Sequence, residues 1–384
     1  MATIKYAIYG TGVYSKRFVE HNLNGGGGIH CFVESVPHAE SFKGKKIIPP
    51  SEIPSDIDLI IVISSYIEDI KKTLKSANID INKCVFSYNG RDFESPSDES
   101  VTNLLAVVKK KDTVDVRIEK SPYDRYSLIK TDDGLYFAGM NKDDMLEGMR
   151  DTGRTCSFGQ IEAFFELCNK FYPEEKGKTI LDCGCNILTT SSYVLKKRAD
   201  FKSLAFEPNP DAFEMASLNS KLNDIKERVT LVNAALSNKH SIMKFRKLGY
   251  ASGSGYLVSN PGSDDLTSTV DVQCYSLDEW CHTNSFDADD IGYLWIDVQG
   301  HEGFLLDGAR LVLKKQPPLF VEFCTNLLED TGCKDLCISI LKEFYDEYVI
   351  VNWDGSYDLS QIQPVSNLVS SSLWTNIFMI RKRV

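Results

Sequence analysis

The sequence predicts an α/β protein made of two units, each built around a mostly parallel sheet. Strand and helix signals alternate over residues 1–90, and seven apolar strand-like runs follow between Thr179 and the C-terminus, most of them separated by helices. Between these regions Arg91–Ser100, RDFESPSDES, turns polar and Pro/Ser-rich, as a linker does. The chain has 384 residues, of which 42% are hydrophobic and 25% charged, so it is ordinary globular material with enough apolar content for two cores.

In the first unit the strands are YAIYG, IHCFVES, LIIVISS and CVFSY, with helices expected from about Val13 to Leu23 and from Ile67 to Ala77. The turn Gly10-Thr11-Gly12-Val13-Tyr14-Ser15 matches the first two glycines of a dinucleotide fingerprint, with Ser15 in the third place. Glu34 ends the second strand 24 residues after Gly10, where a Rossmann unit places an acidic group on the ribose hydroxyls. Its functional reading is a Rossmann-like domain that takes a nucleotide or nucleotide-sugar; its plain reading is a docking or structural domain, because the second mononucleotide-binding half is missing. Asn24–Gly28, NGGGG, lacks the Lys-Ser/Thr of a phosphate loop and reads as a flexible connection.

A bridging region then holds a helix near Val101–Lys111 and a hairpin, YDRYSLIKTDDGLYFAG, whose Asp133-Gly134 pair suits a tight turn. The expected division is 1–95, 96–160 and 161–384. The last part carries the strands ILDCG, SLAFEP, VTLVNAAL, YLWIDVQ, LFVEFC, YVIVNW and LWTNIFMI, the last two forming an antiparallel hairpin.

Several function classes are disfavoured. No apolar run approaches the ~18 residues of a membrane span, and MATIKYAIYG enters a strand without a signal-peptide pattern, so a cytoplasmic protein is expected. The net charge of -11 opposes nucleic-acid binding, since only Lys109–Lys111 and Arg381–Arg383 form basic clusters. Eleven cysteines, an odd number lying largely in apolar runs, read as reduced packing residues. No metal is expected, because neither Cys183/Cys185 nor Cys333/Cys337 has a nearby His or second Cys pair to complete a site.

Chemistry concentrates at the carboxyl ends of the second unit's strands, where open parallel sheets bind ligands. Asp182, Gly184 and Asn186 end the first strand. The glycine lets backbone approach a ligand closely, and the acidic group beside a helix start can hold an amino group. Glu207 ends the second strand, 25 residues after Asp182, in Glu207-Pro208-Asn209-Pro210, and can accept hydrogen bonds from a ribose diol. An amino acid joined to a ribonucleoside is S-adenosyl-L-methionine. Together ILDCGCN, AFEPNP, VTLVNAAL, SLDEW, WIDVQGHEGFLLDGARLVL and LFVEF resemble the FkbM family of methyltransferases over roughly Gly177–Phe323. The resemblance implies a class I methyltransferase seven-stranded sheet beside the smaller N-terminal domain. It also implies that Asp182, Gly184, Asn186, Glu207 and Asn209 hold the cofactor; the plain reading of Asp182 and Glu207 is a helix-capping or turn role. Gln160, ahead of the first core strand, reads either as closing over the cofactor or as a helix surface residue.

Leu188 stands where the family has a glycine, which is expected to narrow the space beside the methionine moiety, and Gln299 stands where the family often has Glu. In Asp297-Val298-Gln299-Gly300-His301-Glu302, His301 is the expected base for a hydroxyl acceptor, its plain reading being a hydrogen bond to the following helix, with Asp297 orienting His301 or the acceptor. Glu302 and Glu322 are substrate-side candidates; helix capping is the plain reading of Glu302, and a buried hydrogen-bonded core position that of Glu322. Amine methylation of bases is disfavoured, as no N/D-P-P-Y/F motif follows the fourth strand. The family implies a sugar, sugar-nucleotide or glycan acceptor, and a homodimer fits such a protein. The rival is a methyltransferase-like scaffold without turnover, with Leu188 and Gln299 as its marks.

Overall fold

The computed structural model describes residues 4–10, 15, 18–19, 23, 29–35, 37, 39–64, 67–87, 92–94, 103–104, 115–119, 125–140, 143–175, 177–247, 252–258, 269–370 and 373–381. It divides into two units, 1–146 and 147–384. The turn 11–14, the loop 24–28, nearly all of the linker outside 92–94 and most of the helix expected over 101–111 lie outside the described residues.

In the first unit β1 (Tyr6–Tyr9), β2 (Ile29–Val33), β3 (Leu59–Ile63) and β4 (Cys84–Ser87) lie side by side in the order β4-β3-β1-β2, all parallel. Helix α1 (Ile67–Ser76) connects β3 to β4 and buries Ile67, Ile70 and Leu74, the three- and four-residue spacing of one helical face. Gly10 follows β1 at φ +99° and donates its N–H to Val33 at 2.8 Å. The strands Arg125–Lys130 and Tyr136–Met140 close as a hairpin at Asp133-Gly134, as the sequence suggests. This hairpin continues the first unit's sheet, so the expected bridging region is not a separate body.

The second unit carries α2 (Phe158–Phe171), β5 (Thr179–Cys183), α3 (Thr189–Lys197), β6 (Lys202–Phe206), α4 (Pro210–Leu222) and β7 (Val229–Val232). After an insertion come β8 (Ile291–Ile296), α5 (Glu302–Asp307), β9 (Leu319–Cys324), α6 (Lys334–Phe344), β10 (Tyr345–Val351) and β11 (Trp374–Arg381). The order is β7-β6-β5-β8-β9-β11-β10, with Gln363–Pro364 at the outer edge beside β10 and β11 antiparallel to both of its neighbours. This is the class I methyltransferase sheet, and the pairing of β10 with β11 is the one the sequence suggests.

Alternation decides the two faces. Leu181, Leu204, Leu294, Val321 and Ile377 join the main core on one face. On the other, Phe164 of α2 lies edge-on against Tyr293, Trp295, Phe320 and Phe378 at centroid distances of 5.8–6.2 Å. Tyr172 at the end of α2 donates to the Met379 carbonyl at 2.8 Å, so α2 runs antiparallel to β8 and β9 and its start overlies their carboxyl ends.

The run VTLVNAAL is not one strand: β7 stops at Val232, and Ala235–Leu236 joins a separate four-stranded sheet with Ser241–Arg246, Tyr256–Val258 and Thr269–Tyr275. Replacing Phe164 by Ala removes the ring that four aromatic neighbours enclose. It should cost about 3–5 kcal/mol in denaturant unfolding, and a loss below 1 kcal/mol would show that α2 is not seated by this cluster.

Candidate functional site

Strand order reverses between β6 and β8, on either side of β5, and a cleft opens there at the carboxyl ends of the strands. Its polar wall comprises Asn186, Glu207, Asp297 and Gln299; its apolar wall includes Phe206, Pro208, Leu236, Phe245 and Leu257. Phe245 and Leu257 come from the inserted sheet, a contribution sequence reasoning missed. The available signal was the period-two pattern of SIMKFR and TVDVQCY.

The Glu207 carboxylate spans two loops. One oxygen accepts the Asn186 N–H and the other the Asn209 N–H, both at 2.8 Å. Burial pushes its pKa up to about 7, partly offset by these two hydrogen bonds. Each oxygen spends one acceptor position on backbone and keeps another, so the group can take a pair of hydroxyls while holding both loops. The Asn209 side chain caps α4 through the Asp211 N–H at 3.1 Å and is not part of the cleft wall.

Gly184 sits at φ +77°, and a Cβ there would lie 1.9 Å from the Asp297 carbonyl. Its close approach is therefore to β8's outgoing backbone, which brings the loops after β5 and β8 together. Leu188 also adopts the left-handed region, at φ +72°, so it keeps the conformation a glycine would have. Its side chain is fully buried and does not line the cleft, which removes the expected narrowing. Asp182 likewise lies outside the cleft wall: its Oδ2 accepts the Ser191 N–H and hydroxyl at the start of α3, the capping role, and burial pushes its pKa up to about 6.

Beyond β8, the Gln299 amide donates to Asp297 at 2.7 Å and to Glu322 at 2.9 Å. Burial raises both carboxyl pKa values, and the Asp297 charge raises Glu322 further. Glu302 turns back on its own loop, accepting the Val298 N–H at 3.1 Å and the Gly300 N–H at 3.2 Å, and burial pushes it up to about 7. That is the capping role.

His301 is not at the cleft mouth, as the sequence reading placed it. It is 3% exposed, its Nε2 lies 2.9 Å from the Ser237 hydroxyl and its ring packs on Phe304. Burial pulls its pKa down to about 4. It is not part of the cleft wall. Gln160 is buried one turn before Phe164 on α2. It therefore stands over the carboxyl ends of β8 and β9 rather than over the Glu207 loops.

Residues 182–347 match the family described as Methyltransferase FkbM domain, and residues 2–85 match one described as C2185-like, N-terminal. Among curated proteins the chain is similar to 2-O-methyltransferase NoeI of Sinorhizobium fredii, 26% identical over 162 residues, covering 39% of this chain and 65% of that protein. Similar solved structures include an O-methyltransferase from Bacillus cereus in complex with SAH, at 10% identity and TM-score 0.36 over 63% of this chain and 92% of that one. Another is an S-adenosylmethionine-dependent O-methyltransferase from Thermotoga maritima, at 13% identity and TM-score 0.32 over 71% and 88%.

The sheet order, the cleft at its reversal and the match over 182–347 define an S-adenosylmethionine-dependent methyltransferase domain of class I. Within that class the likeness over residues 182–347 is to the FkbM type.

The buried carboxyls set a stability profile. Asp182, Glu207 and Glu302 keep their protons in the folded state up to about pH 6–7, whereas in the unfolded chain they lose them near pH 4. The folded state then binds more protons, so stability falls as pH rises from the ordinary carboxylate range through 7. The thermal midpoint should be higher at about pH 5.5 than at about pH 8, and Glu302→Gln should flatten the slope. A midpoint that rises over that interval would contradict these assignments.

Proposed function

We propose that the chain is an S-adenosylmethionine-dependent O-methyltransferase acting on a sugar or glycan-precursor hydroxyl. Glu207 carries the reading. A carboxylate fixed by two backbone N–H groups, with acceptor capacity left and apolar Pro208, Leu236, Phe245 and Leu257 sharing its cleft, suits a ribose and an adjoining base. The printed function of the NoeI relative, 2-O-methylation, supports oxygen as the methyl acceptor. The sugar class rests on the family resemblance, and the first unit is read as the place for a nucleotide-sugar.

When bound, the cofactor supplies an electrophilic methyl group. The protein's remaining tasks are to hold the acceptor oxygen in line and to remove its proton as the bond forms. Asp297 lines the cleft, and burial raises its pKa above the ordinary carboxylate value. Gln299 holds it through an N–H donor and reaches Glu322 with the same amide, so the orientation of the Asp297 carboxylate is fixed on that side. The scaffold reading loses both its marks: Leu188 stays out of the cleft, and Gln299 bridges the two carboxyl groups.

Glu207→Ala should weaken S-adenosylhomocysteine binding by about 1.5–3 kcal/mol in isothermal titration, the range for hydrogen bonds to a charged group. Unchanged affinity would place the cofactor elsewhere. Asp297→Asn should lower turnover by about 100- to 10,000-fold with cofactor affinity nearly intact, whereas His301→Phe should stay within a few-fold of wild type. The reverse pattern would return His301 to the mechanism.

A further inference from the structure

One buried donor in the second unit is left without work. Gln160 is 2% exposed, and its amide nitrogen finds no acceptor among the described residues. An N–H that has lost water and gained no partner is a net cost, and one kept beside a cleft marks a place for a ligand's acceptor atom.

Two independent contacts fix where that donor stands. Phe164 lies over Trp295, Phe320 and Phe378, which pair across β8, β9 and β11. Side chains alternate along a strand, so Asp297, Glu322 and Asn376, each two residues nearer the carboxyl end of β8 and β9, share the face that Phe164 covers. The Asp297 N–H donates to the Cys183 carbonyl at 3.1 Å, which carries the β5–β8 ladder on to that level. Gln160 precedes Phe164 by one turn, about 6 Å along the helix, and two residues of strand cover about 7 Å. Because α2 runs antiparallel to β8 and β9, Gln160 overlies the row Asp297, Glu322, Asn376. The second contact agrees. The preceding residue, Gly159, packs on the turn after β10, where a Cβ would lie 2.3 Å from the Asp354 carbonyl, and β10 enters that turn from Val351, the partner of Asn376.

Below Gln160 the groups are acceptors. The Gln299 amide nitrogen is spent on Asp297 at 2.7 Å and on Glu322 at 2.9 Å, and Asp297 and Gln299 line the cleft. With that nitrogen spent, the Gln160 amide is a donor that stays available at this level.

We infer that Gln160 binds the methyl acceptor: its amide N–H donates to an oxygen next to the hydroxyl whose proton Asp297 takes, so the acceptor presents two adjacent oxygens, as a vicinal diol does. The neighbouring oxygen is the better partner, since a donor on the reacting oxygen would hold back the electron pair that attacks the methyl group and favour the ground state. The reacting oxygen gains the methyl carbon while its proton passes to Asp297, the carbon–sulfur electron pair leaves with S-adenosylhomocysteine, and the oxygen held by Gln160 keeps all its bonds. The inference rests on the O-methyltransferase reading and names a feature of its substrate.

The test offers the full chain S-adenosylmethionine with methyl glycopyranosides of gluco, galacto and manno configuration and with catechol. Each probe is set beside counterparts that lack one ring hydroxyl, phenol in the case of catechol, and release of S-adenosylhomocysteine is measured. In wild type, loss of the neighbouring hydroxyl should lower kcat/KM about tenfold or more. Gln160→Met should raise KM for the diol by about the same factor with kcat within a few-fold, and should treat the diol and its single-hydroxyl counterpart alike. Its affinity for S-adenosylhomocysteine should match wild type, and its thermal midpoint should not fall, because methionine removes a buried donor that has no partner. Absence of S-adenosylhomocysteine binding from wild type would defeat the methyltransferase reading itself. With that binding intact, the inference is overturned by a variant that keeps the preference for the diol, or by a wild type that ignores the neighbouring hydroxyl or methylates no probe. A tenfold loss of S-adenosylhomocysteine affinity in Gln160→Met would return the residue to the cofactor, and a sharply lower midpoint would make it a core residue; either overturns the inference as well.

Discussion

The site depends on one carboxylate. Glu207 takes the Asn186 N–H with one oxygen and the Asn209 N–H with the other, and these belong to the loops that leave β5 and β6. Without it, two backbone donors in a buried place would lack partners, at a cost of about 1–3 kcal/mol each. Gly184 adds the second constraint, since only a residue without a Cβ lets the β5 loop touch the Asp297 carbonyl. Three strand ends are thus tied into one rim, and the cleft is the space they enclose.

Charge is distributed around that rim in a graded way. Glu207 lines the cleft with two fixed backbone donors at its back. Asp297 lines it with Gln299 beside it, and the same amide reaches Glu322. Glu302 and Asp182 do not reach the cleft; they hold the loop 298–300 and the start of α3. Burying several carboxyl groups so close together costs stability at alkaline pH, and the sheet's aromatic and aliphatic cores must offset it.

Much of the sheet was legible because its strands are continuous apolar runs separated by polar helix starts, and β10 and β11 read as a pair for the same reason. Glu207 was legible because a strand-ending acid before Pro208 lies at a fixed distance from the first loop. His301 was misread: Gly300 turns the chain so that the ring faces Ser237, 64 residues away, and no local pattern reports such a partner. Leu188 was misread for a related reason. Its left-handed backbone matches a glycine's, but whether its side chain enters the cleft or the core is decided by tertiary packing. The inserted sheet escaped notice because its short strands alternate weakly and are interrupted by Ser- and Gly-rich sequence.

A structure of the full chain with S-adenosylhomocysteine bound tests the account most directly. The account predicts both ribose hydroxyls within hydrogen-bond distance of the Glu207 carboxylate, the base among Pro208, Leu236, Phe245 and Leu257, and the sulfur turned toward Asp297. A ligand bound elsewhere in the chain, or a ribose that leaves Glu207 to its two backbone donors alone, would contradict it.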